Sequence, residues 1–249
     1  MQIQLRHWLI SLFMIGGLIL GGCATPQATS SDSTNLATET TTTPATTAIS
    51  PMSNLPRLEG KATVVMTVNG SPITIEVDGT HAPVTAGNFV DLVQRGTYDG
   101  LVFHRVVREP QPFVVQGGDP QGKDPNFPTE RLGTGSFIDP ATNQARYVPL
   151  EITPKGADKP VIGQTLKSAR VSAVPELRHT RGAVAMARSS MPDSASSQFY
   201  FALADLPFLD GDYAVFGNVT QGMDVVDKIQ QGDRIESAKV TKGAENLKK

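Results

Sequence analysis

Three stretches of this sequence place chemically capable side chains where folding alone would not call for them. In Phe103-His104-Arg105 an arginine interrupts an apolar run. A permanently charged guanidinium, with several N–H donors in a rigid fork, needs a purpose there. In Phe113-Val114-Val115-Gln116-Gly117-Gly118-Asp119 a glutamine ends the next run. In Ser197-Gln198-Phe199-Tyr200-Phe201 the period of two puts Gln198 and Tyr200 on one face of a strand and Phe199 and Phe201 on the other. One face is therefore core. The other is either a solvated surface, which ordinarily carries Lys, Glu and Thr, or a groove. Amides and aromatic rings together suit a groove for an extended peptide better.

Other chemistries find little support. His7, His81, His104 and His179 are too far apart in sequence for an H-x-x-x-H or H-E-x-x-H pair, so a sequence-local metal site is not expected. There is no G-x-S-x-G elbow, Walker loop or G-x-G-x-x-G fingerprint. Asp210-Gly211-Asp212 lacks the spaced ligands and closing glutamate of a calcium loop and reads as a turn. The single cysteine, Cys23, excludes a disulfide framework and a multi-thiolate zinc site. The expectation is a protein with no metal and no cofactor. With 22 Lys+Arg against 24 Asp+Glu in 249 residues, there is no basic excess to suit nucleic acid. Hydrophobic residues at 39% suffice for one core.

The elements that must carry these residues are mostly strands. Ala62–Val68 and Ile73–Val77 alternate on either side of Asn69-Gly70, a strong hairpin signal. Further short apolar runs cover 102–107, 113–116, 182–187, 198–203, 213–219 and 238–240. Only Thr85–Arg95 and Met223–Gln230 have helical spacing. Many strands with two isolated helices predict a mainly β domain over 57–249, a closed barrel with helices plugging its ends. A long stretch rich in Pro, Gly, Lys and Asp, within 120–176, is either functional or a surface insertion.

Ahead of the domain lies an address. Arg6 and His7 precede a charge-free run, Leu9–Leu20. As a helix this run would span roughly 18 Å, short of the roughly 30 Å hydrocarbon core. A buried core helix is one reading; its position and basic flank favour a signal peptide over 1–23. Leu20-Gly21-Gly22-Cys23 resembles the bacterial lipoprotein processing motif, in which the cysteine carries the lipid, although Gly21 stands where Ala or Ser is usual. A plain secretory signal is the alternative. Residues 24–56, dominated by Thr, Ser, Ala and Pro, read as a disordered tether.

The ordered motifs carry a more specific resemblance. Tyr98 to Val107, Phe113 to Asp119, Gly182 to Ala187, Ser196 to Phe201, Phe208 to Gly211 and Tyr213 to Val219 together resemble the cyclophilin family. The similarity runs over about Lys61–Val240, excluding much of 120–176. Cyclophilins are peptidyl-prolyl cis–trans isomerases on an eight-stranded antiparallel barrel capped by two helices, so the resemblance implies that fold and that activity. It implies Arg105, Phe113 and Gln116 as catalytic residues, with Val114, Ala187, Arg188, Gln198, Tyr200, Phe208, Leu209 and Tyr213 binding substrate. Arg105 would stabilise the twisted amide, and Gln116 would orient the substrate carbonyl. Phe113, Val114, Tyr200 and Leu209 would wall the proline ring, while His104 would be structural.

Departures from the family pattern bear on the pocket. Arg108–Pro112 makes the link between the first two motifs longer than is common, which could move Phe113 relative to Arg105. Val114 stands where methionine is more usual and Tyr200 where phenylalanine is. Phe208 replaces the tryptophan associated with cyclosporin binding in many eukaryotic members, implying weak sensitivity to that ligand. The leading expectation is an exported isomerase, monomeric and acting on proline-containing polypeptides. It would be lipid-anchored through Cys23 to a bacterial envelope membrane, on the periplasmic or outer side. A non-catalytic scaffold that binds proline segments, and a purely structural envelope lipoprotein, are the alternatives.

Overall fold

The computed structural model describes residues 51–249. The signal peptide, Cys23 and most of the tether expected from the sequence lie outside the described residues.

A tight hairpin starts the sheet. Strand β1 (Lys61–Val68) turns into β2 (Ser71–Asp78) through Asn69 and Gly70, at φ 50° and 70°, the two positive angles that a type I′ turn requires. Along β1, Ala62, Val64, Met66 and Val68 are buried while their neighbours face outward. Helix α1 (Pro83–Gln94) follows, then β3 (Arg105–Val107) and β4 (Val114–Gly117). Beyond the long insertion come β5 (Ala183–Met186), β6 (Phe199–Ala202), β7 (Val215–Gln221), α2 (Met223–Val226) and β8 (Ile235–Lys242). These strands make one eight-stranded antiparallel sheet in the order β8-β1-β2-β7-β5-β6-β4-β3.

The expected closure of the barrel is corrected. The sheet curls into a half-barrel, and its edge strands β3 and β8 do not pair as a ladder. The chain ahead of Arg105 reaches the far edge only through the isolated bridge Val102↔Arg234 and a few backbone bonds, among them Phe103 N to Asp233 O at 2.8 Å. It then turns to β4 for three residues. A strand so short cannot pair fully with both neighbours.

The helices also differ from the periodic reading. Helix α1 begins at Pro83, where the missing N–H costs nothing. Its N-terminus is capped from the insertion: the buried Glu151 carboxylate accepts from Val84 N at 3.0 Å, Thr85 N at 2.8 Å and Thr85 Oγ1 at 2.9 Å. Helix α2 has four residues and stops well before Gln230, although Val226 and Ile229 are still buried. Phe89 on α1 meets Tyr98, Phe199 and Phe216 at centroid distances of 5.1, 5.5 and 4.9 Å, forming the aromatic centre of the core.

Ahead of Arg57, Pro51–Asn54 forms a short 3-10 helix, and Met52 and Leu55 pack on the core. The 120–176 stretch is integrated rather than appended. It contributes two short hairpins (Ile138–Asp139 with Gln144–Ala145, and Glu151–Ile152 with Val161–Ile162). Its Leu150, Ile152 and Leu166 form a small core with Ala214.

Candidate active site

Strand register brings the singled-out polar groups together. Arg105 lies opposite Gln116 in the β3–β4 pair, and Gln116 lies opposite Tyr200 in the β4–β6 pair. Arg105 Nη1 donates to Gln116 Oε1 at 3.3 Å, Gln116 Nε2 to Gln198 Oε1 at 3.2 Å, and Gln198 Nε2 to the Gly135 carbonyl at 2.8 Å. Arginine can only donate, so Gln116 presents its oxygen to Arg105 and its amide hydrogens to Gln198. Every amide in the row is thereby oriented from one end.

Aromatic rings complete the wall. The Arg105 guanidinium sits 5.4 Å from the Phe113 ring centroid, within cation–π range. Phe113 stacks on the exposed Phe208 at 6.0 Å. Tyr200 meets Tyr213 edge-on at 6.2 Å. The Arg188 guanidinium lies 4.6 Å over Tyr213 and donates to the Asp212 carbonyl at 2.7 and 3.0 Å. Arg188 is therefore pinned as a wall, whereas Arg105 keeps donors free.

Between these groups is a pocket of about 220 Å³ lined by Arg105, Phe113, Val114, Gln116, Ala187, Arg188, Tyr200, Leu209 and Tyr213. Of the residues expected from the sequence, Gln198 and Phe208 fall outside this lining; Gln198 faces the next cleft and Phe208 stands at the rim. Beyond the longer 108–112 loop, Phe113 stands beside Arg105. Phe113 N donates to Val107 O at 3.0 Å, and Arg108 Nη2 ties the loop to the Val226 and Asp227 carbonyls at 3.2 and 2.7 Å. His104 is buried beneath Gly133, away from the pocket lining, and burial lowers its pKa.

An adjoining cleft of about 390 Å³ shares Gln116, Ala187 and Arg188 with the pocket. Its other wall is polar: Gly133 to Ser136, Tyr147, Ser189, Ser194, Ser196 and Gln198. The fully buried Asp119 carboxylate holds this wall, accepting from Gln121 N, Gly133 N and Gly135 N at 2.9, 2.6 and 3.0 Å. A β-carbon at Gly135 would collide with that carboxylate. Of this wall the sequence singled out Gln198; Gly133 to Ser136, Tyr147, Ser189 and Ser194 were not singled out. The only signal was the length of the insertion that carries Tyr147 and the 133–136 turn.

Sequence reading also missed what stands behind the pocket. The Tyr200 hydroxyl lies 2.9 Å from His179 Nε2, and His179 Nδ1 lies 3.0 Å from Asp210 Oδ1. Asp210 also accepts from His179 N at 2.8 Å and Arg178 Nε at 2.9 Å. Burial pushes the Asp210 carboxyl upward, but these donors outweigh it and hold the group below the ordinary carboxylate range. Burial pushes the His179 imidazole down, with Asp210 opposing. Burial pushes the Tyr200 phenol up. Among the described residues no cluster of His, Cys, Asp and Glu is arranged to hold a metal ion.

Comparison with known proteins gives consistent relatives. The family model described as cyclophilin type peptidyl-prolyl cis-trans isomerase/CLD matches residues 63–246. A Synechocystis protein named as a thylakoid lumen peptidyl-prolyl cis-trans isomerase is 45% identical over 78% of this chain and 50% of its own length. The chloroplastic isomerase CYP38 of Arabidopsis thaliana is 42% identical over 78% of this chain and 45% of its own. The chain thus spans about half the length of these two relatives. A Brucella abortus protein of the same type is 34% identical, over 72% of this chain and 76% of its own length. Among solved structures, a cyclophilin-type isomerase of Cryptosporidium parvum superposes with a TM-score of 0.54 at 23% identity, covering 72% of this chain and 97% of its own; this likeness concerns the fold.

Proposed function

The chain belongs to the cyclophilin-type peptidyl-prolyl cis–trans isomerases, and on that premise we propose that it accelerates X–Pro bond rotation in extended polypeptide segments. The observation that carries the reading is Arg105, held by Gln116 and Phe113, in the lining of a pocket of about 220 Å³ that also has Val114, Tyr200 and Leu209.

The barrier to be lowered is electronic. The amide's partial double bond opposes rotation by roughly 18–20 kcal/mol, and uncatalysed exchange takes tens to hundreds of seconds. Twisting the bond breaks resonance and returns a lone pair to the prolyl nitrogen. A site that favours the twisted state over both planar ones accelerates both directions, about tenfold per 1.36 kcal/mol. Phe113, Val114, Tyr200 and Leu209 hold the proline ring by apolar contact. Arg105 then donates to the prolyl carbonyl and to the nitrogen lone pair as it develops, and Gln116 fixes the fork that does so. The reaction moves no covalent bond, so positioned donors and a fitted pocket suffice.

The residues preceding proline continue into the polar cleft, because Gln116 and Ala187 border both spaces. Serine hydroxyls and backbone groups there suit peptide backbone more than any one side chain. Substrates are therefore proline-containing polypeptides chosen by shape, consistent with a net charge of only −2. The test is a proline-peptide exchange assay on the full chain. Acceleration well above background is expected; no acceleration at micromolar protein would overturn the reading.

The address is part of the proposal. The Leu9–Leu20 run followed by Gly21-Gly22-Cys23 supports export and lipid attachment at Cys23. The lumenal and chloroplastic names of two relatives support a non-cytosolic setting. No helix among the described residues is long and apolar enough to cross a membrane. Mass spectrometry of the mature N-terminus is expected to find a diacylglycerol on Cys23; an unmodified Cys23 contradicts it.

A further inference from the structure

We propose that His179 is a positioning residue for the isomerisation, tying Tyr200 to the loop that carries Leu209, and that protonating it reverses the Tyr200 hydrogen bond and so resets the Tyr200 ring in the pocket. This rests on the isomerase reading above.

The geometry fixes the direction of each bond. Asp210 Oδ2 is occupied by Arg178 and Oδ1 by the His179 backbone N–H, so the carboxylate is ionised and takes the Nδ1 proton of His179. Neutral imidazole then has a bare Nε2, which only accepts. The Tyr200 hydroxyl 2.9 Å away must therefore donate to it. This arrangement reaches the pocket. Tyr200 lines the pocket from β6, while Asp210 follows Leu209, another lining residue, at the end of the 3-10 turn Pro207–Leu209. His179 is itself anchored, its carbonyl accepting from Leu206 N at 2.7 Å. One imidazole, 2% exposed, thus joins Tyr200 to the loop that carries Leu209.

Protonation changes the donor count. A proton taken from water onto Nε2 makes that nitrogen a donor, so Tyr200 Oη must accept and its own hydrogen must rotate away. The charged and titratable groups facing His179 are Arg178 on its own segment, Asp210 on the loop and Tyr200 on β6; Tyr213 and Arg188 face Tyr200 in turn. Asp210 remains ionised and the arginines remain charged across the acid range. His179 is therefore the group in this network that changes state below neutrality, and burial places its transition below the ordinary 6.5.

The experiment follows exchange kinetics and proline-peptide affinity of the full chain from pH 8 to pH 5, in wild type, Tyr200→Phe and His179→Gln, with the His179 ring nitrogens observed by NMR. In wild type, kcat/KM should fall at least fivefold on the acid side, mainly through KM, with the Nδ1–H tautomer at pH 8. Tyr200→Phe keeps the ring but cannot report the protonation; its acid loss should be under twofold, from a starting kcat/KM a few-fold lower. His179→Gln keeps an acceptor that does not titrate and should flatten the limb likewise. Should His179→Gln fail to fold, Tyr200→Phe decides alone. An acid limb unchanged in Tyr200→Phe, no limb in wild type, or an Nε2–H tautomer would overturn the proposal while leaving the isomerase reading intact. Peptide affinity that tracks His179 without any turnover would overturn the isomerase reading and, with it, the role in isomerisation, leaving His179 to shape a binding pocket only; neither affinity nor turnover would overturn both.

Discussion

The two clefts that meet at Gln116 are built in opposite ways. The apolar pocket takes Arg105, Val114, Gln116 and Tyr200 from three neighbouring strands, where the register of β3, β4 and β6 sets their spacing. The polar cleft takes most of its wall from loops at 133–136 and 189–196, held in shape by Asp119 and by a serine turn in which Ser194 Oγ donates to the Met191 carbonyl at 2.6 Å. On the proposed function, the groups that meet the developing lone pair sit on paired strands, and those that read a varied polypeptide sit on loops. That reading concentrates chemistry in one cleft and tolerance in the other.

That division can be broken first at Arg105. Arg105→Ala should lower kcat/KM about 10²–10³-fold, the magnitude usual for losing a preorganised donor. Arg105→Lys should recover little of it, because a point charge does not replace a fork. Phe113→Ala should cost about 30-fold, since it removes both the proline contact and the ring under Arg105. A loss under threefold in either would place the chemistry elsewhere.

The loop cleft should respond more weakly and differently. Asp119→Ala strips three backbone N–H groups of their buried acceptor. It should cost about 3 kcal/mol of stability by denaturant unfolding. It should also lower kcat/KM about tenfold, through Gly135 and Gln198. Ser194→Ala should change kcat/KM under threefold for a short Ala-Pro peptide and alter preference among longer ones. A larger effect on the short peptide would blur the distinction between the clefts.

The smallest expected effect is on stability against pH. Burial holds His104 and His179 below their ordinary pKa of 6.5, so the unfolded chain takes up these protons first as pH falls. Stability should therefore begin to drop below about pH 6.5 and level off once the folded-state groups protonate. At Asp91, burial raises the pKa but the nearby Lys249, Arg146 and Arg95 outweigh it, holding it below 3.8. Its contribution is present above that value and is lost as pH falls through the folded-state pKa. Thermal melts from pH 8 to pH 2 should show both stages, and a melting temperature flat between pH 7 and 5 would contradict the first.

What could be read from the sequence follows the same division. Strand residues announce themselves because period two exposes an anomaly: Arg105 and Gln116 interrupt apolar runs, and Tyr200 shares a face with Gln198. The hairpin at Asn69-Gly70 was equally visible, since only a few residues tolerate positive φ. Loop residues carry no such period. Nothing local marks Asp119 as the anchor of Gly133 and Gly135, or Glu151 as the cap of α1, because each partner lies far away in sequence. His179 was legible as a residue and not as a link, for its meaning depends on Tyr200 and Asp210 arriving beside it. The open seam between β3 and β8 was hidden for a related reason: pairing partners are tertiary facts, and strand count alone suggests closure.

The account stands most directly on what Arg105 does once a peptide is bound. Exchange spectroscopy at saturating proline peptide, paired with an equilibrium titration, separates rotation from binding in wild type and Arg105→Ala. The account predicts that bound-state exchange slows about 100-fold while affinity changes less than about fivefold, since Arg105 acts on the twisted amide more than on the planar ones. Affinity falling in step with rate, or bound exchange as fast in Arg105→Ala as in wild type, would contradict it.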